Sequence, residues 1–259
     1  LREAGYNRIS FGMQSAAAGE LAVLGRKHTS EQVHSAVESA KRVGFDNLSL
    51  DLMLGVPYQT SESIKYSLDT AIELDVQHIS AYMLKIEENT DFYRKNRWEE
   101  CPDEEQTCEI YLSTIEYLRQ AGFMQYEISN FAKPGYESRH NLLYWNCQHY
   151  LGLGPHAHSC LGGRRFFCPQ GTAQFLSGPA AYQQDGACTR EDYIMLQLRL
   201  SSGLSLRALK QKWGRGFTQK QMAFLQTLCS HGLAAFDGDV LRLLPQGMLL
   251  QNSILCELI

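Results

Sequence analysis

Gln14, Arg26 and Asp51 stand in order near the start of the chain. Their segments are Arg8-Ile-Ser-Phe-Gly-Met-Gln-Ser15, Leu24-Gly-Arg-Lys-His28 and Asp51-Leu-Met-Leu-Gly-Val-Pro57. An amide and a carboxylate can hydrogen-bond sugar hydroxyls, and an arginine can grip a carboxylate through two parallel bonds. Gly55, which has no side chain, offers backbone that a flat ring could approach closely. A second group, His140-Asn-Leu-Leu-Tyr-Trp145, follows Glu127-Ile-Ser-Asn-Phe-Ala-Lys-Pro134. A neutral imidazole at His140 is a good iron ligand, and Tyr144 and Trp145 could line a flat apolar macrocycle. Each residue also has a purely structural alternative. Gln14 could end a strand, Arg26 could be solvated, Asp51 could accept backbone amides, Gly55 could sit in an ordinary turn, and His140 could be hydrogen-bonded among core aromatics.

The elements that must position these residues alternate between strand and helix up to about residue 130. Strands are predicted at Asn7–Met13, Asn47–Leu54, His78–Leu84 and Met124–Ile128. Helices are predicted between them. Ser30–Val43 opens on Thr29 and Gln32 at capping-box spacing, carries Val33, Ala36, Val37, Ala40 and Val43 on one face, and stops at Gly44. Ser61–Leu74 and Asp103–Ala121 repeat the pattern. This alternation implies right-handed crossovers and a parallel sheet. Chemistry in such sheets gathers at the carboxyl ends of the strands, where Gln14 and Gly55 lie. Residues 161–190, rich in Gly and Pro, read as an irregular linker. Beyond it, helical patterns at Asp192–Leu200, Leu206–Lys212 and Gln219–Ser230 precede a hairpin signal at Asp237-Gly238, and Pro245 suits the start of a last helix. The tail is predicted to be a small, mainly helical, winged-helix-like domain.

Composition bounds the possibilities. The chain has 259 residues, 44% hydrophobic and 20% charged, enough for a sizeable core. A net charge of −4 argues against general attraction to nucleic acid or acidic membranes. No apolar run reaches the length of a membrane span and no signal peptide is visible, so a cytoplasmic location and no stable membrane insertion are expected. The eight cysteines, at 101, 108, 147, 160, 168, 188, 229 and 256, include no Cys-x2-Cys pair and read as reduced thiols. His149, His156 and His158 lack an acidic or cysteine partner at convincing ligand spacing. The predicted helix Gln219–Ser230 has one lysine, so DNA binding by the tail is not expected.

The segments around Gln14, Arg26 and Asp51 resemble the S-adenosylmethionine-contacting parts of the radical SAM coproporphyrinogen III oxidase-like family. The resemblance implies that Gln14, Arg26, Asp51 and Gly55 contact S-adenosylmethionine. Glu127–Ala132 and His140–Trp145 resemble the EISNFA…HNxxYW signature of the HemW, or heme-chaperone, branch. That implies heme binding by His140, Tyr144 and Trp145, with His140 the candidate iron ligand. Tyr150-Leu-Gly-Leu-Gly-Pro-His-Ala-His158 resembles the segment that follows in the family, departing from it at Pro155 and His156. The implied fold is α/β: the C-terminal part of a radical SAM partial (β/α) barrel with parallel strands, plus the winged-helix-like domain. The expected division is 1–160 for the partial barrel and heme-signature region, 161–190 for the linker, and 191–259 for a HemN-like C-terminal domain.

The family also carries a [4Fe–4S] cluster on Cys-x3-Cys-x2-Cys, which this sequence lacks, so no residue here is assigned to cluster ligation or catalysis. With Leu1 first and Leu1–Gly5 reading as the tail of a helix, the chain is expected to be an N-terminally truncated member. The function implied is that of a heme chaperone binding heme and S-adenosylmethionine and delivering heme to respiratory proteins. The alternative is an oxygen-independent coproporphyrinogen III oxidase, a radical SAM oxidoreductase of porphyrin biosynthesis. An unpaired apolar first strand also predicts poor solubility or oligomers.

Overall fold

The computed structural model describes residues 1–259, Asp91 by its backbone alone. The chain divides into two compact units, Leu1–Glu137 and Ser138–Ile259. The first runs β1 (Ile9–Gln14), α1 (Ala18–Val23), α2 (Ser30–Arg42), β2 (Leu48–Leu54), α3 (Ser61–Glu73), β3 (His78–Met83), α4 (Asp91–Arg94), α5 (Glu104–Gln120), β4 (Met124–Glu127) and β5 (Asn130–Ala132). Reciprocal caps start its three long helices. Thr29 with Gln32, Thr60 with Ser63, and Asp103 with Gln106 each satisfy amides that the first turn leaves free. Val33, Val37 and Ala40 of α2 are buried, whereas Ala36 is half-buried and Val43, at the end of the helix, is exposed.

The sheet has the order β1-β2-β3-β5-β4 and is open, with β1 and β4 at its edges. β1, β2 and β3 are parallel, as expected. The next strand differs. The Ile128-Ser129 turn folds β5 back antiparallel on β4, and β5 inserts between β3 and β4. A two-residue connection can only join antiparallel neighbours, so this hairpin makes the sheet mixed. Alternation along β2 sends Leu48, Leu50, Leu52 and Leu54 to one face, all essentially without exposure. Met13, Ile79, Ala81 and Phe131 are buried too, with α2 against β1, and α3 and α5 against β2.

The second unit runs α6 (Arg139–Trp145), β6 (His158–Leu161), β7 (Arg164–Phe167), α7 (Thr172–Ser177), β8 (Gln183–Ala187), α8 (Arg190–Gln197), β9 (Leu204–Ser205), α9 (Leu206–Trp213), α10 (Gln219–Ser230), β10 (Ala234–Phe236), β11 (Val240–Leu243), α11 (Pro245–Leu249) and α12 (Gln251–Leu258). Residues 161–190 are not irregular. They hold β7, α7 and β8, and β6-β7-β8 is an antiparallel sheet. Gly162 and Gly163, at φ +59° and +76°, form the two-residue turn between β6 and β7, a geometry that suits glycine.

The tail has the winged-helix-like form. α8, α9 and α10 precede the β10–β11 hairpin, and β9 adds a third strand, absent from the sequence reading, in the order β10-β11-β9. Asp237 closes the hairpin by accepting from the amides of Asp239 and Val240 at 3.1 and 2.8 Å. Ile194, Leu198, Leu204, Leu209 and Leu241 form its core.

Candidate functional site

The face of the first sheet opposite the leucines is polar. Register aligns Gly12, Asp51, Ser80, Asn130 and Glu127 in one row across all five strands. At the β1 end of that row, Ser10 Oγ donates to Asp51 Oδ1 at 2.9 Å. A bulge between Gly12 and Gln14 shifts the register, and Gln14 adopts φ +66°. Its amide then folds back over Gly12. A Cβ at Gly12 would lie 2.7 Å from Gln14 Nε2. The structure therefore brings Gln14 and Asp51 together above a bare stretch of backbone, an arrangement that fits a polar ligand such as a ribose.

Arg26 sits apart from this pair. It is exposed and lines a cleft of about 490 Å³ with Ala17, Ala22, Thr29 and Tyr66. The segment is tied to the strand end by His28 Nε2, 3.1 Å from the Met13 carbonyl. Gly55 is buried at φ +73°, and a Cβ there would meet Thr107 Cγ2 at 3.3 Å. Its amide donates to Gln59 Oε1 at 2.7 Å. Glycine is needed at 55 for the turn and for its fit against Thr107.

The polar row contains residues that the motif reading quoted without giving them a role. Glu127 is fully buried and accepts from Ser129 N at 3.1 Å and from Asn130 Nδ2. Asn130 Oδ1 is buried without a hydrogen-bond partner. Deeper, His78 lies between Ser49 Oγ and Tyr126 Oη, both 2.8 Å from its ring nitrogens. Burial, aided by the charge of Arg8, pushes His78 down to about 3, so the ring is neutral. Beside the strand ends, the buried carboxylate of Glu20 accepts from Gln59 Nε2 at 3.2 Å. The signal for this face was the alternation in Leu48-Ser-Leu-Asp-Leu52, polar at every second residue between leucines.

In the second unit, α6 carries His140 exposed at its first turn, four residues before Tyr144. That spacing stacks the two side chains on one face of the helix. Tyr144 Oη is 2.6 Å from His140 Nε2, and their rings meet edge to face at 4.9 Å. Tyr150 adds a third ring, edge-on to Tyr144 at 4.4 Å. From Tyr150 the chain enters a loop that exposes Leu151 and Leu153 by 56% and 82%. Gly152 holds that loop down, since a Cβ there would lie 2.2 Å from the His158 carbonyl. Trp145 turns elsewhere. Its ring lies under the Arg199 guanidinium at 4.4 Å, and its carbonyl accepts from Gln197 at 3.0 Å. The structure thus joins His140 with Tyr144 and separates Trp145 from them.

These residues fit heme in part. If His140 Nε2–H donates to Tyr144, Nδ1 keeps a lone pair for iron, as ligating histidines do when their second nitrogen is hydrogen-bonded. Tyr150, Leu151 and Leu153 supply apolar surface. No group of three metal-ligating side chains among the described residues is arranged to hold an ion, and the cysteines include no Cys-x3-Cys-x2-Cys. The residues present therefore do not fit a [4Fe–4S] cluster.

Comparison with known proteins follows the same division. The Radical SAM superfamily model matches residues 1–71, and the HemN C-terminal domain model matches residues 182–250. The protein named "Heme chaperone HemW" of Bacillus subtilis (strain 168) is 37% identical over 98% of this chain and 70% of its own length. The protein of the same name from Mycobacterium tuberculosis (strain ATCC 25618 / H37Rv) is 35% identical over 100% of this chain and 67% of its own. Among solved structures, coproporphyrinogen III oxidase (HemN) from Escherichia coli, a radical SAM enzyme, superposes with a TM-score of 0.80 at 25% identity. The match covers 99% of this chain and 64% of that one.

Proposed function

Because the chain belongs to the HemW family of heme chaperones, with the radical SAM fold, we propose that it binds heme at the His140–Tyr144 pair and passes it to heme-accepting respiratory proteins. The observation that carries this reading is the exposed His140 imidazole held by Tyr144, which Tyr150 meets edge-on in turn. A chaperone must release its ligand, and an exposed site on a helix suits release better than an enclosed cavity. Trp145 enters the reading as a residue that fixes the end of α6, through Arg199 and Gln197. No helix is long and apolar enough to cross a membrane among the described residues, and action in the cytoplasm is part of the proposal.

S-adenosylmethionine is proposed to lie on the polar face, with Asp51 and Gln14 on its hydroxyls and the Arg26 guanidinium available to a carboxylate. When bound with a cluster, S-adenosylmethionine supplies radical chemistry; here the chain's own residues bind and orient it. Gly55 takes part only by shaping the end of β2. The coproporphyrinogen oxidase reading ranks second, because the His140–Trp145 signature and the higher identities both belong to HemW.

Hemin titration followed by its absorption band tests the main reading. Wild-type protein is expected to give a shifted band that His140→Ala loses, with affinity falling at least tenfold. An unchanged spectrum and affinity in His140→Ala would show that the ligand is another residue.

A further inference from the structure

Three of the eight cysteines, remote from one another in sequence, meet in the second unit. Cys188 Sγ lies 3.7 Å from Cys160 Sγ, and Cys147 faces the same space. All three line one cavity of about 230 Å³, together with Tyr144, Tyr150 and Arg165. The fold builds this meeting deliberately. Cys147 follows α6 at φ +48°, Cys160 lies in β6, and Cys188 is fastened just beyond β8 by its backbone N–H, which donates to the Gly163 carbonyl at 3.1 Å. Other thiols have other company: Cys168 donates to Gln170, and Cys101 to the Arg97 carbonyl.

We propose that Cys188 is the central thiol of a dithiol–disulfide site, closing onto Cys160, or onto Cys147, in exchange with a low-molecular-weight disulfide such as oxidised glutathione. No trio of metal-ligating side chains among the described residues is arranged to hold an ion, so the chemistry open to clustered thiols is with each other. A disulfide needs its sulfurs at about 2.05 Å, so closure from 3.7 Å draws the end of β8 toward β6 across β7, which lies between them. Cys188 is partly exposed, whereas Cys160 is buried. Cys147 is partly exposed as well, and of the 3.7 Å pair Cys188 is the thiol that an external disulfide reaches first.

The exchange balances in two steps. The Cys188 thiolate attacks one sulfur of oxidised glutathione, forming a mixed disulfide and releasing one glutathione thiolate. Cys160 then loses its proton to water and attacks Cys188 Sγ, releasing the second glutathione. Two protein thiols are oxidised to one disulfide, and one glutathione disulfide is reduced to two thiols. Burial raises Cys160, and pushes Cys147 up to about 12. Tyr144 lines the same cavity, which puts this redox change one side chain from His140.

The test treats the whole chain with oxidised glutathione under native conditions, blocks free thiols with N-ethylmaleimide, and maps unreduced peptides by mass spectrometry. The expected product links Cys188 to Cys160 or to Cys147, and dithiothreitol reverses it. Cys188→Ser is expected to abolish both links, while Cys160→Ser moves the link to Cys147. The proposal is overturned if all three thiols remain free, if glutathione stays on Cys188 without closure, or if Cys160 and Cys147 join in Cys188→Ser. Wild-type mapping decides even if a variant fails to fold. It uses no heme, so its failure is separate from that of the heme reading.

Discussion

At the scale of the residue, His78 gives the sharpest expectation about pH. Its folded pKa lies near 3 because burial opposes the imidazolium, against about 6.5 when unfolded. Between those values the unfolded chain binds the extra proton, so stability rises with pH across the window. The contribution is complete above about pH 6.5 and erodes as pH falls toward 3, at up to about 1.4 kcal/mol per pH unit. From pH 6.5 to 5 the wild type is expected to lose about 2 kcal/mol in urea unfolding. A His78→Gln variant should show a much flatter profile there. If both fall together, His78 is not the group responsible. Asp51 supports a second test at this scale. Hydrogen bonds to a charged group contribute about 1.5–3 kcal/mol, so Asp51→Asn should weaken S-adenosylmethionine binding roughly 10- to 100-fold by calorimetry. Tyr144→Phe should weaken hemin binding less than His140→Ala does, by about 2- to 10-fold, because it removes only a neutral hydrogen bond to the ligand.

Elements explain why these side chains arrive where they do. The α3 cap is a reciprocal pair of Thr60 and Ser63, and Thr60→Ala should cost about 1 kcal/mol in urea unfolding. A loss below the error of that measurement would mean water replaces the cap. The capping box at Thr29 and Gln32 was legible because both partners lie within one helical turn. β5 was not legible: Asn130–Ala132 is three residues long, and its pairing with β3 spans about fifty residues of chain. Residues 161–190 read as an irregular linker for their Gly and Pro content, although the Gly162-Gly163 pair within them is also a turn signal. Leu204–Ser205 is too short to show any period and becomes β9 only because β11 lies beside it.

At the scale of the whole molecule, β1 is an edge. Ile9 and Phe11 are half-buried and border a groove with Ala36, Val43 and Phe45. An apolar, parallel edge with unpaired amides invites association. Light scattering is expected to give a mass above the monomer's, with Phe11→Lys shifting it downward. A clean monomer from the wild-type chain would contradict this. The residues proposed for S-adenosylmethionine belong to the unit Leu1–Glu137 and those proposed for heme to the unit Ser138–Ile259.

Local chemistry sufficed to determine the parallel arrangement of β1 to β3, the capped helices and the winged-helix-like tail. Each follows from a period of two or 3.6 residues, or from a spacing of three or four. Only the tertiary structure decided that Trp145 leaves the histidine for Arg199 and that Gly55 fits against Thr107. It alone aligned the polar row from Gly12 to Glu127, and gathered Cys147, Cys160 and Cys188 around one cavity. Those arrangements join residues far apart in the chain or turn a side chain toward a distant partner. Their energies depend on the register of strands and the packing of elements, which no short stretch of sequence contains.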